Sequence, residues 1–226
     1  MAAAQGHFSD HPDHSNGTGD PDGSGGDTVP HAFRRAVEAL RAAAPRPEIT
    51  LEPARPPQRL APYAYALEAT VSEGEDALAD GRLVLLHAPD GHEGWAGTFR
   101  LVTLVRAELE PEMAADPLLP EVSWSWLTGA LEARCPGYGE PSGTVTRAGS
   151  HYFGGLADRR PATQIEIRAS WTPATGRDGV PDTGAHLVAW CDLLAQIAGL
   201  EPSPVAGTEA GAGVVTLPQR RGPQQR

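Results

Sequence analysis

Apolar positions along this chain change period several times, and each change marks an element. Phe33, Val37, Leu40 and Ala44 fall at i, i+4, i+7 and i+11, one stripe of a helix that Pro45 stops. Pro30 suits its first turn, with Thr28 as the cap. Ile49 and Leu51 then share a face in a short strand from Glu48 to Glu52. The four prolines between Pro53 and Pro62 make the next segment an extended connector. Alternation returns at Tyr63, Tyr65, Leu67, Ala69 and Val71, which predicts a strand with one buried face. An acidic loop, Glu73 to Asp80, leads into a short apolar strand from Arg82 to His87. A Pro-Asp-Gly turn follows, and the longest strand runs from Trp95 to Leu109 with Trp95, Gly97, Phe99, Leu101, Thr103 and Val105 facing together. These three strands predict an antiparallel meander.

The period then lengthens again. A central helix starts at Pro117 or Pro120, with Asp116 as a possible cap, and carries Val122, Trp126, Leu127 and Ala130 on one side. Trp124 and Leu131 widen that stripe, and Cys135 and Pro136 end it. On a helix Trp124 and Trp126 lie about 200° apart, so one indole is expected to pack inward and the other to stay partly exposed. Thr144 to Arg147, continuing towards Tyr152, and Gln164 to Trp171 predict two more strands. The second places Ile165, Ile167, Ala169 and Trp171 on one face. A last helix, Gly184 to Ala198, takes Asp182 or Thr183 as cap, a stripe of Leu187, Trp190, Leu194 and Ile197, and Gly199 as terminator. The order α-β-β-β-β-α-β-β-α lacks regular strand–helix alternation. It predicts an α+β fold, a mostly antiparallel sheet of five to six strands with helices packed on it. Such an order resembles that of type III secretion chaperones and similar small dimeric binding proteins.

Composition sets the limits of the domain. Residues 1–29 and 201–226 are rich in Gly, Pro, Asp, Ser and Gln and poor in large apolar side chains, so they are expected to be disordered tails around one domain at 30–200. All 18 basic residues are Arg, a composition that points to a GC-rich genome. Residues 30–200 carry 22 acidic residues against 15 Arg, a net of −7, which disfavours nucleic acid as a partner. Two cysteines match neither a disulfide framework nor a metal spacing. No basic region followed by an apolar run opens the chain, and no apolar stretch is long enough for a span. A cytoplasmic protein away from membranes is therefore expected.

Certain strings are distinctive: P-Q-R-L-A-P-Y-A-Y-A-L-E-A, G-T-F-R-L-V-T-L-V-R-A-E-L-E-P-E-M, D-P-L-L-P-E-V-S-W-S-W-L and S-H-Y-F-G-G-L. On these, residues 33–200 resemble an actinobacterial family known as domain of unknown function three thousand. The resemblance implies a cytosolic protein and carries no assigned activity, cofactor or site residue. It also implies gene neighbours encoding a ribonuclease D-like protein and haem biosynthesis, the basis for considering an RNA-processing accessory role.

Candidate chemistry is sparse. His87, Asp90, His92 and Glu93 read as a turn rather than a metal site, and His7, His11 and His14 lie in the N-terminal tail. Glu108, Glu110, Glu112, Asp116 and Glu121 offer oxygens for a divalent cation, but acid at a strand end and a helix N-terminus accounts for them. Ser150, His151 and Tyr152 precede a Gly-Gly turn without a nucleophile motif. Cys135, near a helix C-terminus, gains no thiolate stabilisation. We therefore expect a non-catalytic protein-binding or adaptor domain, possible as a homodimer, with no cofactor and no metal. It would meet its protein partner around Trp124, Trp126 and strand 95–109. The alternative is a small enzyme or ligand-binding domain with a pocket where Arg106, Glu108, Glu110, His151 and Tyr152 converge.

Overall fold

The computed structural model describes residues 29–201; the expected Thr28 cap and nearly all of both tails lie outside that range. Six strands form one antiparallel sheet: β1 (Ile49–Ala54), β2 (Tyr63–Glu73), β3 (Asp76–His92), β4 (Gly97–Leu109), β5 (Tyr138–Ser150) and β6 (Ala162–Pro173). Their spatial order is β1-β2-β3-β4-β6-β5. The helices are α1 (His31–Ala42), the short α2 (Pro111–Ala115), α3 (Leu119–Arg134) and α4 (Thr183–Ile197). The fold is α+β in the order expected, with α2 added. Among the described residues no helix is long and apolar enough to cross a membrane.

Strand alternation decides which face is covered. Leu67, Ala69 and Val71 of β2, Leu83 and Leu85 of β3, Phe99, Leu101, Val105, Ala107 and Leu109 of β4, and Ile165, Ile167, Ala169 and Trp171 of β6 are buried in the core that α1, α3 and α4 complete. Helix α4 lies at the centre of that layer and packs on both α1 and α3. Its cap is as the sequence predicts, the Asp182 carboxylate accepting from the Ala185 N–H at 3.1 Å. Gly199 ends it at φ +77°. The Arg134 Nε donates to Asp192 at 2.7 Å, tying α3 to α4. Gly81 of β3 makes room for α4: a Cβ there would stand 2.8 Å from the Trp190 ring.

Several expectations need correction. The acidic loop at 73–80 shrinks to a two-residue turn, because Glu73 pairs with Asp76 and Gly74 adopts φ +64°. The Pro-Asp-Gly segment is mostly strand, since β3 extends to His92. Trp95 does not share the face of Phe99 and Leu101. A 3₁₀ turn at Glu93–Trp95 and left-handed Ala96 (φ +51°) break the alternation. The indole is thereby sent to the opposite face, with Ala66, Val84, Leu86 and Ala88. β5 begins six residues earlier than Thr144, and α1 ends before Ala44, which is exposed. The α3 stripe is Leu119, Ser123, Leu127, Ala130 and Leu131, while Val122 is exposed. Trp124 and Trp126 are both half-buried at the flanks of that stripe, because α3 is covered from two sides.

Candidate functional site

Two places in the molecule combine polar chemistry with burial. One is the sheet face that carries no helix. Its upper part is closed by the Trp95 cluster, against which Ala61 of the connector packs. Its lower part carries charge. Arg106 of β4 donates from Nε to Glu166 of β6 at 2.8 Å, and Arg168 donates from Nε to the other Glu166 oxygen at 2.7 Å. Those two guanidinium bonds hold the Glu166 carboxyl below its usual range. Both arginines reach the same side because β4 and β6 are paired, Arg106 opposite Glu166 and Leu104 opposite Arg168.

The expected convergence around Arg106 is partial. Arg106 and Glu108 line one hollow of about 200 Å³ with Thr70, Asp80 and Gln164, and neither Glu110, His151 nor Tyr152 lines it. Glu110 stands exposed just before α2. His151 is exposed in the loop after β5, and Tyr152 lies beneath the Arg159 guanidinium, 5.8 Å from its ring centroid. The acidic residues at 108–121 do not gather either: no group of three or more His, Cys, Asp or Glu among the described residues is arranged to hold a metal ion. His87 leaves the turn altogether. It is buried, stacked on Phe99 at 4.1 Å, with Nδ1 3.0 Å from the Thr98 carbonyl oxygen, and burial lowers its pKa.

Arg100 is the residue sequence reasoning overlooked on this face. Its position in β4 points it outward, yet it is only 6% exposed. Nη1 donates to Thr172 Oγ1 at 2.9 Å, and Nη2 donates to Ser142 Oγ at 3.1 Å and Ser170 Oγ at 2.8 Å. Burial pushes its pKa down. The hydroxyls come from β5 and β6, so no local motif marks them.

The second place is a thiol–imidazole pair in the helix layer. Cys135 Sγ lies 3.0 Å from His186 Nδ1, and the Trp171 indole N–H donates to the same nitrogen at 3.1 Å. An indole N–H can only donate, so Nδ1 is the acceptor and the imidazole proton sits on Nε2, which is buried without a partner. Burial lowers the His186 pKa to about 4, against a weaker opposing pull from Asp182. Burial, followed by Asp182, raises the Cys135 thiol to about 12. At neutral pH both groups are uncharged. The pair therefore has the composition of a nucleophile and base without their ionisation, since the thiolate is the reactive form. Its members are 51 residues apart, and neither segment carries a motif that announces the other.

The His186 environment makes stability sensitive to acid. Its folded pKa lies below the unfolded value near 6.5, so the unfolded chain takes up a proton first as pH falls. This contribution is complete above about pH 6.5 and is lost progressively down to about pH 4. The difference amounts to about 3 kcal/mol, and His87 acts in the same direction. Urea unfolding at several pH values should give a steep loss across this window, flattened in His186→Leu. Equal slopes for both proteins would contradict the assignment.

No curated protein and no solved structure matches the chain. The family described as protein of unknown function (DUF3000) matches residues 29–206, which spans the whole sheet, all four helices, the Arg100 cluster and the Cys135–His186 pair. The chain thus belongs to the DUF3000 family.

Proposed function

We propose that this chain is a non-catalytic protein-binding or adaptor domain of the cytoplasm, and that it engages its partner through the free edge of β5. The observation that carries this reading is the edge itself. β5 is 13 residues long, pairs among the described residues only with β6, and has no buried residue along its length. Such an edge presents unpaired N–H and C=O groups to any strand that can align with it. The opposite edge, β1, is only six residues long and contains Pro53, the usual way of blunting an edge. Pro141 and the irregular register between Gly139 and Ser142 blunt only the first part of β5, leaving Gly143 to Ser150 regular.

The non-catalytic part of the reading is supported by the chemistry of the two polar places. Burial keeps the Cys135 thiol protonated and makes His186 a weak base, and the carboxylates of 108–121 form no group of three among the described residues that could hold a metal ion. Trp124 stands beside the same edge, its ring 2.8 Å from where a Gly143 Cβ would be. This places the tryptophan helix next to the proposed contact.

The test uses the full chain as bait in its native host, beside a Thr146→Lys, Ala148→Lys variant. Both positions are exposed, so the substitutions should leave the unfolding midpoint nearly unchanged. Lysines at an edge discourage strand addition. Proteins retained by the natural chain should be lost from the variant. Identical capture by both would sink the edge reading. Sedimentation of the two purified proteins distinguishes a second copy from a different partner.

A further inference from the structure

We propose that the open sheet face over β4, β6 and β5 binds a small oxyanion, a carboxylate or phosphate group, held by Arg168 and the hydroxyls of Ser142, Thr144 and Ser170 above the buried guanidinium of Arg100. The inference is independent of the edge reading and starts from an imbalance of charge. Arg100 is 6% exposed, yet it takes part in none of the ion pairs formed among the described residues. Its partners are three hydroxyls and the Ser170 carbonyl oxygen, at 2.8 to 3.3 Å. A buried cation satisfied only by neutral oxygens keeps its field, and a nearby anion gains from it.

The surroundings offset that field only in part. Arg106 and Arg168 share the single carboxylate of Glu166. The outward charged positions of β4 and β6, Arg100, Arg106 and Arg168 against Glu108 and Glu166, leave one positive charge in excess, within a domain whose overall charge is negative. Glu140 lies close enough to act on Arg100 electrostatically, though not to pair with it.

The donors are placed to use this charge. A hydroxyl that accepts from a guanidinium still has its own O–H to give. Ser142 Oγ and Ser170 Oγ are 3.3 Å apart, so one O–H can bridge them while the other points away. Thr172 is already committed, donating to the Trp95 carbonyl oxygen at 2.5 Å. A hollow of about 250 Å³ lies beside these groups, lined by Val102, Ser142, Thr144, Arg168 and Ser170 among others. Arg168 lines the hollow and uses only Nε for Glu166, and its side chain is 65% exposed, so its Nη groups keep N–H donors for a ligand. Charge and hydroxyl donors together select an oxyanion over a neutral ligand.

The experiment titrates the full chain, at constant ionic strength set with chloride, with inorganic phosphate in one arm and acetate in the other. Backbone amide shifts of Ser142, Thr144 and Ser170 are the readout. At least one arm should saturate at millimolar concentration, and which arm saturates identifies the anion class. Arg168→Gln should weaken that binding by about tenfold or more, the loss of one charge-assisted contact, with the unfolding midpoint retained because the residue is largely exposed. Ser170→Ala provides a second variant at the floor. Shifts that stay linear in both arms overturn the proposal as an adventitious ion only, and so does unchanged affinity in Arg168→Gln.

Discussion

Replacing Trp171 with alanine is expected to remove about 3–5 kcal/mol of stability, a large part of the total for a domain of this size. The indole has no exposure, sits on the helix face of β6, and is among the largest fully buried side chains of the core. The substitution leaves a cavity beneath α4 and also deletes the N–H that donates to His186 Nδ1 at 3.1 Å. The imidazole then keeps only the Cys135 thiol as partner on that nitrogen, with Nε2 already unpaired. Trp126→Ala is the comparison, because that indole is half-buried at the flank of α3 and should cost distinctly less. Urea unfolding of both variants gives the measurement. Equal losses would mean that Trp171 is not the keystone its burial implies.

A second large effect is expected at Gly143, where alanine should destabilise by about 3 kcal/mol. A Cβ at that position would stand 2.3 Å from the Arg168 carbonyl oxygen, 3.0 Å from the Ala169 Cα and 2.8 Å from the Trp124 ring. Two of those three neighbours are backbone of the adjacent strand, so no change of rotamer relieves the contact. Relief requires β5 to separate from β6, and the damage should appear as faster amide exchange along β5. Gly149 of the same strand meets nothing within 4 Å, and Gly149→Ala should be close to neutral. If the two variants behave alike, the close approach of β5, β6 and α3 is wrong.

Most of the sheet is legible from the chain because one face lies under helices while the other, outside the Trp95 cluster, meets solvent or polar chain. β2, β4 and β6 show the resulting alternation, as at Ile165, Ile167, Ala169 and Trp171. α4 is equally legible, from its Asp182 cap to its Gly199 stop. The errors share a cause: a local pattern cannot report what a distant segment does. Trp95 follows its neighbours' period until left-handed Ala96 turns the chain. Trp124 and Trp126 point apart on a helix, yet both are half-covered because α3 has neighbours on two sides. Arg100 occupies an outward position in β4 and would pass for a solvated charge. Ser142, Ser170 and Thr172 close over it only when β5 and β6 are in place. The Cys135–His186 pair likewise exists only once α3 and α4 have docked.

The position of α4 has a consequence for synthesis on the ribosome. Among the described elements, the helix that fills the middle of the covered layer is the last to be made, and β6, which zips onto β4, ends nine residues before it. Until Ile197 has left the exit tunnel, the nascent chain carries a meander whose inner surface, from Leu67 to Leu109, has only α1 and α3 to cover it and lacks the central helix. Such a surface attracts chaperones. Translation pausing near the codons for 183–197 would lengthen that exposure, whereas a pause after them would not.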